Sequence, residues 1–239
     1  MRVWNDLLSP SDREVTEARG HVKPGGLTNV GRRPALLVID ATVDFTGDRP
    51  EPILASIKRF PESCGEKGWS AVRRIKELLD AARRAGVPII YTKVEEGHVH
   101  GNECWRHRSM AKNGNGQTLS NVFPDMIQPR AEDPVLRKRK PSAFFGTPLL
   151  SMLTGMQVDT LLICGGVTSG CIRATVTDGF SHDFKVVVVE DCVFDRLEIA
   201  HRLNLFEMHQ KYADVVSLSE AQAYLSELRS RPEPTSLRV

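Results

Sequence analysis

No stretch of the sequence is apolar for long enough to span a membrane. The first residues, MRVWNDLLSPSDREV, lack the apolar h-region of a secretory leader, because charges and a proline interrupt them early. These two absences predict a cytoplasmic protein. An excess of charge is missing as well: 32 lysines and arginines against 30 aspartates and glutamates leave +2. Nothing global therefore draws the chain to nucleic acid. Cysteine is limited to five residues, an odd number without small-scaffold spacing, which fits reduced thiols better than a disulfide framework. Internal repeats of solenoid period are also lacking. What remains is ordinary globular material, 41% hydrophobic and 26% charged. Its 239 residues suit one α/β domain, or at most one with a structured arm.

Residues 1–33 read as a polar N-terminal arm, a candidate subunit contact. SPSDREVTEAR starts a helix capped by Ser11 or Asp12, and KPGGLTNVG is a connection. From residue 34 the rhythm changes, and 34–230 reads as one domain followed by a flexible tail, 231–239. ALLVID (35–40) is a continuous apolar run ended by an acid, as in a parallel strand buried on both faces. GWSAVRRIKELLDAARRAG (68–86) places Trp69, Val72, Ile75, Leu79 and Ala82 on one helical face and ends at Gly86. VPIIYTK, TLLICG, KVVVVED and DVVSL read as further strands. CIRATVTDGFSHD reads as a helix burying Ile172, Val176 and Phe180; EIAHRLNLFEMHQKYA is another, and a last helix starts at a Ser219 cap. This alternation calls for a parallel sheet with helices on both faces. The stretches 41–66 and 94–134 exceed ordinary connections and are candidates for functional loops or subunit contacts.

Ligands of such a sheet bind beyond the carboxyl ends of its strands. That rule selects Asp40, Thr92-Lys93 and Cys171. Cys171 follows LLICGGVTSG, at a helix start where the dipole and free N–H groups would stabilise a thiolate or an oxyanion. Cys164, Cys192 and Cys64 read as inert buried thiols. Asp40 is a workable base, since burial would raise its pKa; Asp44 competes for that role. A lysine near both groups would lower the thiol pKa, and Lys93 and Lys138 are the candidates.

LLVIDATVDF (36–45), KRKPSAFFGTPL (138–149) and GGVTSGCIRAT (165–175) resemble, in this order, the isochorismatase-like cysteine hydrolase superfamily. The resemblance covers about 34–220. It implies a three-layer, doubly wound, mainly parallel six-stranded α/β sheet with helices on both faces. It also implies an Asp40–Lys138–Cys171 triad for amide hydrolysis, a cis peptide at Gly166–Val167, and an oxyanion hole from the N–H groups of Val167 and Cys171. SCGEKGW (63–69), SAFFGT and DCVFDR resemble most the N-carbamoylsarcosine and maleamate amidohydrolases, which implies Arg196 on a substrate carboxylate. A homotetramer is implied as well. Phe144, Trp105 and Thr168 are further candidates for the substrate pocket, and Arg173 for a brace of subunits or of the loop.

Two departures stand out. Where related nicotinamidases hold a metal with Asp-x-His, this chain has VEEGHVHGNECWRH (94–107). No metal or other cofactor is therefore expected, although His98, His100, Cys104 and His107 could be imagined as zinc ligands. Thr42 stands where many relatives have glutamine. The resulting expectation is an amidohydrolase acting on a small carboxylated amide or ureido compound through a thioester. The alternatives are a maleamate- or ureidoacrylate-type amidohydrolase, an isochorismatase, and a catalytically silent scaffold of the same fold.

Overall fold

A computed structural model describes residues 3–18, 27–28, 30–95 and 122–230. The sheet has six strands, all parallel: β1 (Pro34–Ile39), β2 (Ile89–Val94), β3 (Val135–Lys138), β4 (Thr160–Gly166), β5 (Lys185–Phe194) and β6 (Asp214–Val216). Their order is β3-β2-β1-β4-β5-β6, so the direction of winding reverses between β1 and β4. Among the described residues, the α-helices longer than four residues are α1 (Pro10–Ala18), α2 (Glu66–Arg84), α3 (Leu149–Gly155), α4 (Arg173–Ser181), α5 (Glu198–Lys211) and α6 (Leu218–Ser230).

Strand β1 shows how the core is divided. Its side chains alternate between faces, and all six residues are buried. Leu36 and Val38 join Ile75 and Leu79 of α2 and Leu225 of α6 in one core layer. Ala35, Leu37 and Ile39 join Leu153 of α3, Val176 of α4 and Met208 of α5 in the other. A strand sealed on both sides has no polar face, which is why ALLVI carries none.

Several local expectations are corrected. The cap of α1 is Ser9, whose Oγ accepts the Asp12 N–H at 3.1 Å while the Asp12 carboxylate accepts the Ser9 N–H at 3.0 Å. The same reciprocal capping box places the start of α6 at Ser217, paired with Glu220, and not at Ser219. Phe180 is 48% exposed, although Ile172 and Val176 are fully buried. Strand β3 and helix α3 were not legible as elements. β3 is a four-residue edge strand in which only Lys138 is buried, so no apolar run announces it.

The arm is tied to its own chain. Trp4 is buried beside Phe206 and His209 of α5. The amides of Arg32 and Arg33 donate to Asp159, and the Gly31 amide to Thr160 Oγ1 at 2.7 Å. Among the described residues, no helix is long and apolar enough to cross a membrane.

Candidate active site

Asp40 follows β1 at the winding reversal, and its backbone takes φ +43°, in the left-handed region that aspartate tolerates better than most residues. Its carboxylate is fully buried. Thr92, near the end of β2, holds it by a reciprocal pair. The hydroxyl accepts the Asp40 N–H at 3.2 Å and donates to Oδ1 at 2.7 Å. With its one hydrogen committed to Oδ1, Thr92 fixes the carboxylate rotamer and leaves Oδ2 facing the neighbouring strand's lysine.

That lysine is Lys138. Val94 and Lys138 are register partners of the parallel β2–β3 pair, so Lys138 shares a face with Thr92, two residues before Val94. Lys93 lies between them and points to the other face. The strand period therefore separates the two candidate lysines. Lys138 Nζ stands 2.6 Å from Asp40 Oδ2, with both side chains almost completely buried. It also donates to Cys171 Sγ at 3.3 Å and to the Lys140 carbonyl at 3.1 Å. Asp44 lies on the helical turn Val43–Thr46 that follows Thr42.

Cys171 does not begin a regular α-helix. It sits in a π-helical turn, Thr168–Ile172, that leads into α4 at Arg173. Two glycines set that turn against β1 and β5. Gly165 has φ +109°, and a Cβ there would lie 2.0 Å from the Ile39 carbonyl oxygen. At Gly166 a Cβ would come within 2.4 Å of the Phe194 ring. Packing thus excludes larger residues from both positions. The Gly166–Val167 peptide is cis.

The electrostatics correct one expectation. Burial, with the Asp40 charge added, pushes the Cys171 thiol up to about 12 despite the opposing effect of Lys138. The shift favours the protonated sulfur, because a helix start does not offset lost hydration beside Asp40. Burial acts to lower the Lys138 pKa, but Asp40 and Cys171 outweigh it and hold the ammonium above its ordinary value. The Asp40, Lys138 and Cys171 side chains therefore meet in one cluster around the Lys138 ammonium.

The other candidates are placed differently. Thr168 is buried, with its hydroxyl on the Phe194 carbonyl at 3.1 Å and on His201 Nδ1 at 2.8 Å. Phe144 is a core residue packed on Phe184 and His182; its neighbour Phe145 is the exposed ring, at 65%. Arg196, just beyond β5, is half-buried, and its Nη1 is held by the Glu62 carbonyl at 2.8 Å and the Glu62 carboxylate at 3.2 Å. Arg173 faces Glu207 of its own chain at 3.7 Å. Cys64, Cys164 and Cys192 are buried free thiols. Trp105, His98, His100, Cys104 and His107 lie outside the described residues. Among the described residues no group of three or more His, Cys, Asp or Glu could hold a metal ion. Thr92 was visible in the sequence only as a strand end, since nothing in YTK distinguishes a carboxylate clamp from an ordinary strand threonine.

A parallel sheet wound both ways, with these three side chains at its reversal, defines a class of α/β enzyme fold. The isochorismatase domain model matches residues 34–220, and the chain belongs to that family. It is similar to the maleamate amidohydrolase of Pseudomonas putida, 33% identical over 202 residues covering 83% of this chain and 89% of that one. It is also similar to the N-carbamoylsarcosine amidase of an Arthrobacter species, 29% identical over 83% of this chain and 73% of that one. The solved N-carbamoylsarcosine amidase of Thermoplasma acidophilum superimposes with a TM-score of 0.61 at 26% identity, over 78% of this chain and 96% of that one.

Proposed function

We propose that this chain is a cysteine-dependent amidohydrolase releasing ammonia from a small carboxylated amide or ureido compound, with N-carbamoylsarcosine as the leading type. The observation that carries this reading is the placement of Lys138 Nζ, 2.6 Å from Asp40 and 3.3 Å from Cys171. An ammonium bridging a carboxylate and a thiol has little value to a silent scaffold, because burying it costs hydration that a hydrophobic side chain would not lose.

In the mechanism, substrate attack and deprotonation go together, since burial raises the Cys171 pKa. The Cys171 proton passes to Asp40 as the sulfur attacks the amide carbonyl. The N–H groups of Val167 and Cys171 stabilise the tetrahedral oxyanion. Asp40 returns the proton to the leaving nitrogen, the C–N bond breaks, and ammonia departs. Water, deprotonated by Asp40, then attacks the acyl- or carbamoyl-thioester and releases the acid and the Cys171 thiol. Lys138 remains an ammonium throughout and limits the rise in negative charge on its two partners. The substrate carboxylate takes the side of the Arg196 guanidinium away from Glu62.

A maleamate-type substrate is the second reading, favoured by the 33% identity to the P. putida enzyme. The working form is proposed to be a cytoplasmic homotetramer; the exposed Leu197, Ile199 and Leu203 around α5 support an assembled state. The test is ammonia release by the purified protein from N-carbamoylsarcosine, maleamate and ureidoacrylate, compared with Cys171→Ser and Cys171→Ala. Both variants should lose turnover by on the order of 10⁴-fold or more. Ammonia release that survives in Cys171→Ala would exclude the mechanism, and no turnover of any of the three compounds would exclude the substrate class.

A further inference from the structure

Asp195 lies one residue beyond β5 and is 4% exposed. Its carboxylate is taken up by donors of its own chain. Oδ2 accepts both the Ser169 N–H, at 2.8 Å, and the Ser169 hydroxyl, at 2.7 Å. Oδ1 accepts the Arg196 N–H at 2.7 Å. The residue before it acts on the same segment: the Phe194 carbonyl accepts the Thr168 hydroxyl at 3.1 Å. Since that hydroxyl spends its hydrogen on Phe194, the 2.8 Å contact with His201 is a bond accepted from Nδ1–H. The end of β5 and helix α5 thus grip residues 168 and 169. The two N–H groups assigned above to the oxyanion, those of Val167 and Cys171, bracket these residues.

We propose that Asp195 is a positioning residue, holding the Thr168–Ile172 turn so that the Val167 and Cys171 N–H groups converge on one oxygen. The catalytic part of this proposal rests on the amidohydrolase reading; the clamp itself rests only on the geometry of the turn. A carboxylate suits the task because it has two accepting oxygens and three donors to satisfy. An amide has one oxygen, and its NH₂ would oppose a backbone N–H. Asp195→Asn therefore removes part of the clamp while keeping size and shape.

The experiment pairs steady-state kinetics with backbone hydrogen exchange on the full-length protein. In Asp195→Asn, kcat should fall by on the order of 10²-fold, with KM changed by less than about threefold because the oxyanion forms only in the transition state. Exchange of the amides in 166–173 should accelerate by about tenfold or more, while those of β1 and α2 keep wild-type rates. Ser169→Ala, which loses only the hydroxyl bond and preserves the fold, should show the same pattern more weakly. Unchanged exchange across 166–173, equal acceleration throughout β1 and α2, or a loss carried by KM alone would each overturn the proposal. Locally faster exchange in a protein whose wild type hydrolyses no amide would support the clamp while defeating the amidohydrolase reading.

Discussion

Two ion-pair clusters in this molecule invite comparison. On the loop after β1, Arg59 grips Asp48 with two nearly parallel bonds of 2.7 and 2.8 Å and also contacts Glu51. At the winding reversal, Lys138 offers one ammonium to Asp40, Cys171 and a carbonyl. The Arg59 geometry is the better of the two by the standards of charge-assisted bonding. Yet Arg59 and Asp48 are 37% and 40% exposed, while Lys138 and Asp40 are 2% and 0% exposed. Water screens the first pair and competes for its bonds. In the second, each charge has lost most of its hydration and depends on its partner. Exposure, more than bond geometry, decides what each cluster is worth.

The comparison breaks most readily at Lys138. Lys138→Met keeps the volume and leaves the Asp40 carboxylate buried without its counter-charge, so unfolding in urea should show a loss of about 3–5 kcal/mol. Adding Asp40→Asn to that variant should recover a large part of it. If the two losses simply add, the pair is not coupled and the comparison fails.

Alkaline pH sharpens the same contrast. Burial raises the Cys171 and Cys64 thiols to about 12, and raises Cys164 and Cys192 as well. A group whose folded pKa lies above its unfolded one retains its proton longer in the native state. It contributes stability below the unfolded value that is lost as pH rises towards the folded value. The urea midpoint should therefore hold steady up to about the ordinary thiol value of 9.0 and decline above it. Lys138, also raised, adds to the loss beyond its ordinary 10.5. Cys64→Ala should flatten the decline, and a midpoint that rises between about pH 9 and 10.5 would contradict the assignment of buried neutral thiols. The smallest effect is expected at the exposed cluster: Arg59→Ala should leave the urea midpoint at pH 7 within the scatter of replicate titrations. A clear destabilisation there would mean the loop's ion pairs carry more than their exposure allows.

Much of this site was legible before any coordinates. The acid ending ALLVID, the glycines after LLIC and the cysteine behind them all mark carboxyl ends of parallel strands, where the rule for ligand sites applies. Lys138 was harder. It lies among Arg137, Arg139 and Lys140, a run that reads as a solvated face, and only the motif resemblance singled it out. The register of a short edge strand turns this one basic residue inward. At Phe144 the ambiguity is of another kind. SAFFGT offers two adjacent rings, and spacing alone does not say which of them faces the core.

From the order of its residues alone, this chain determined its alternation of strands and helices and the double-sided burial of β1. Both depend on local periodicity and on the length of the apolar runs. Only the tertiary structure decided that the Lys138 ammonium reaches both Asp40 and Cys171, that Thr92 clamps the carboxylate, and that burial raises the Cys171 pKa. Each of these depends on strand register or on the depth of burial, and both are set by groups far apart along the chain.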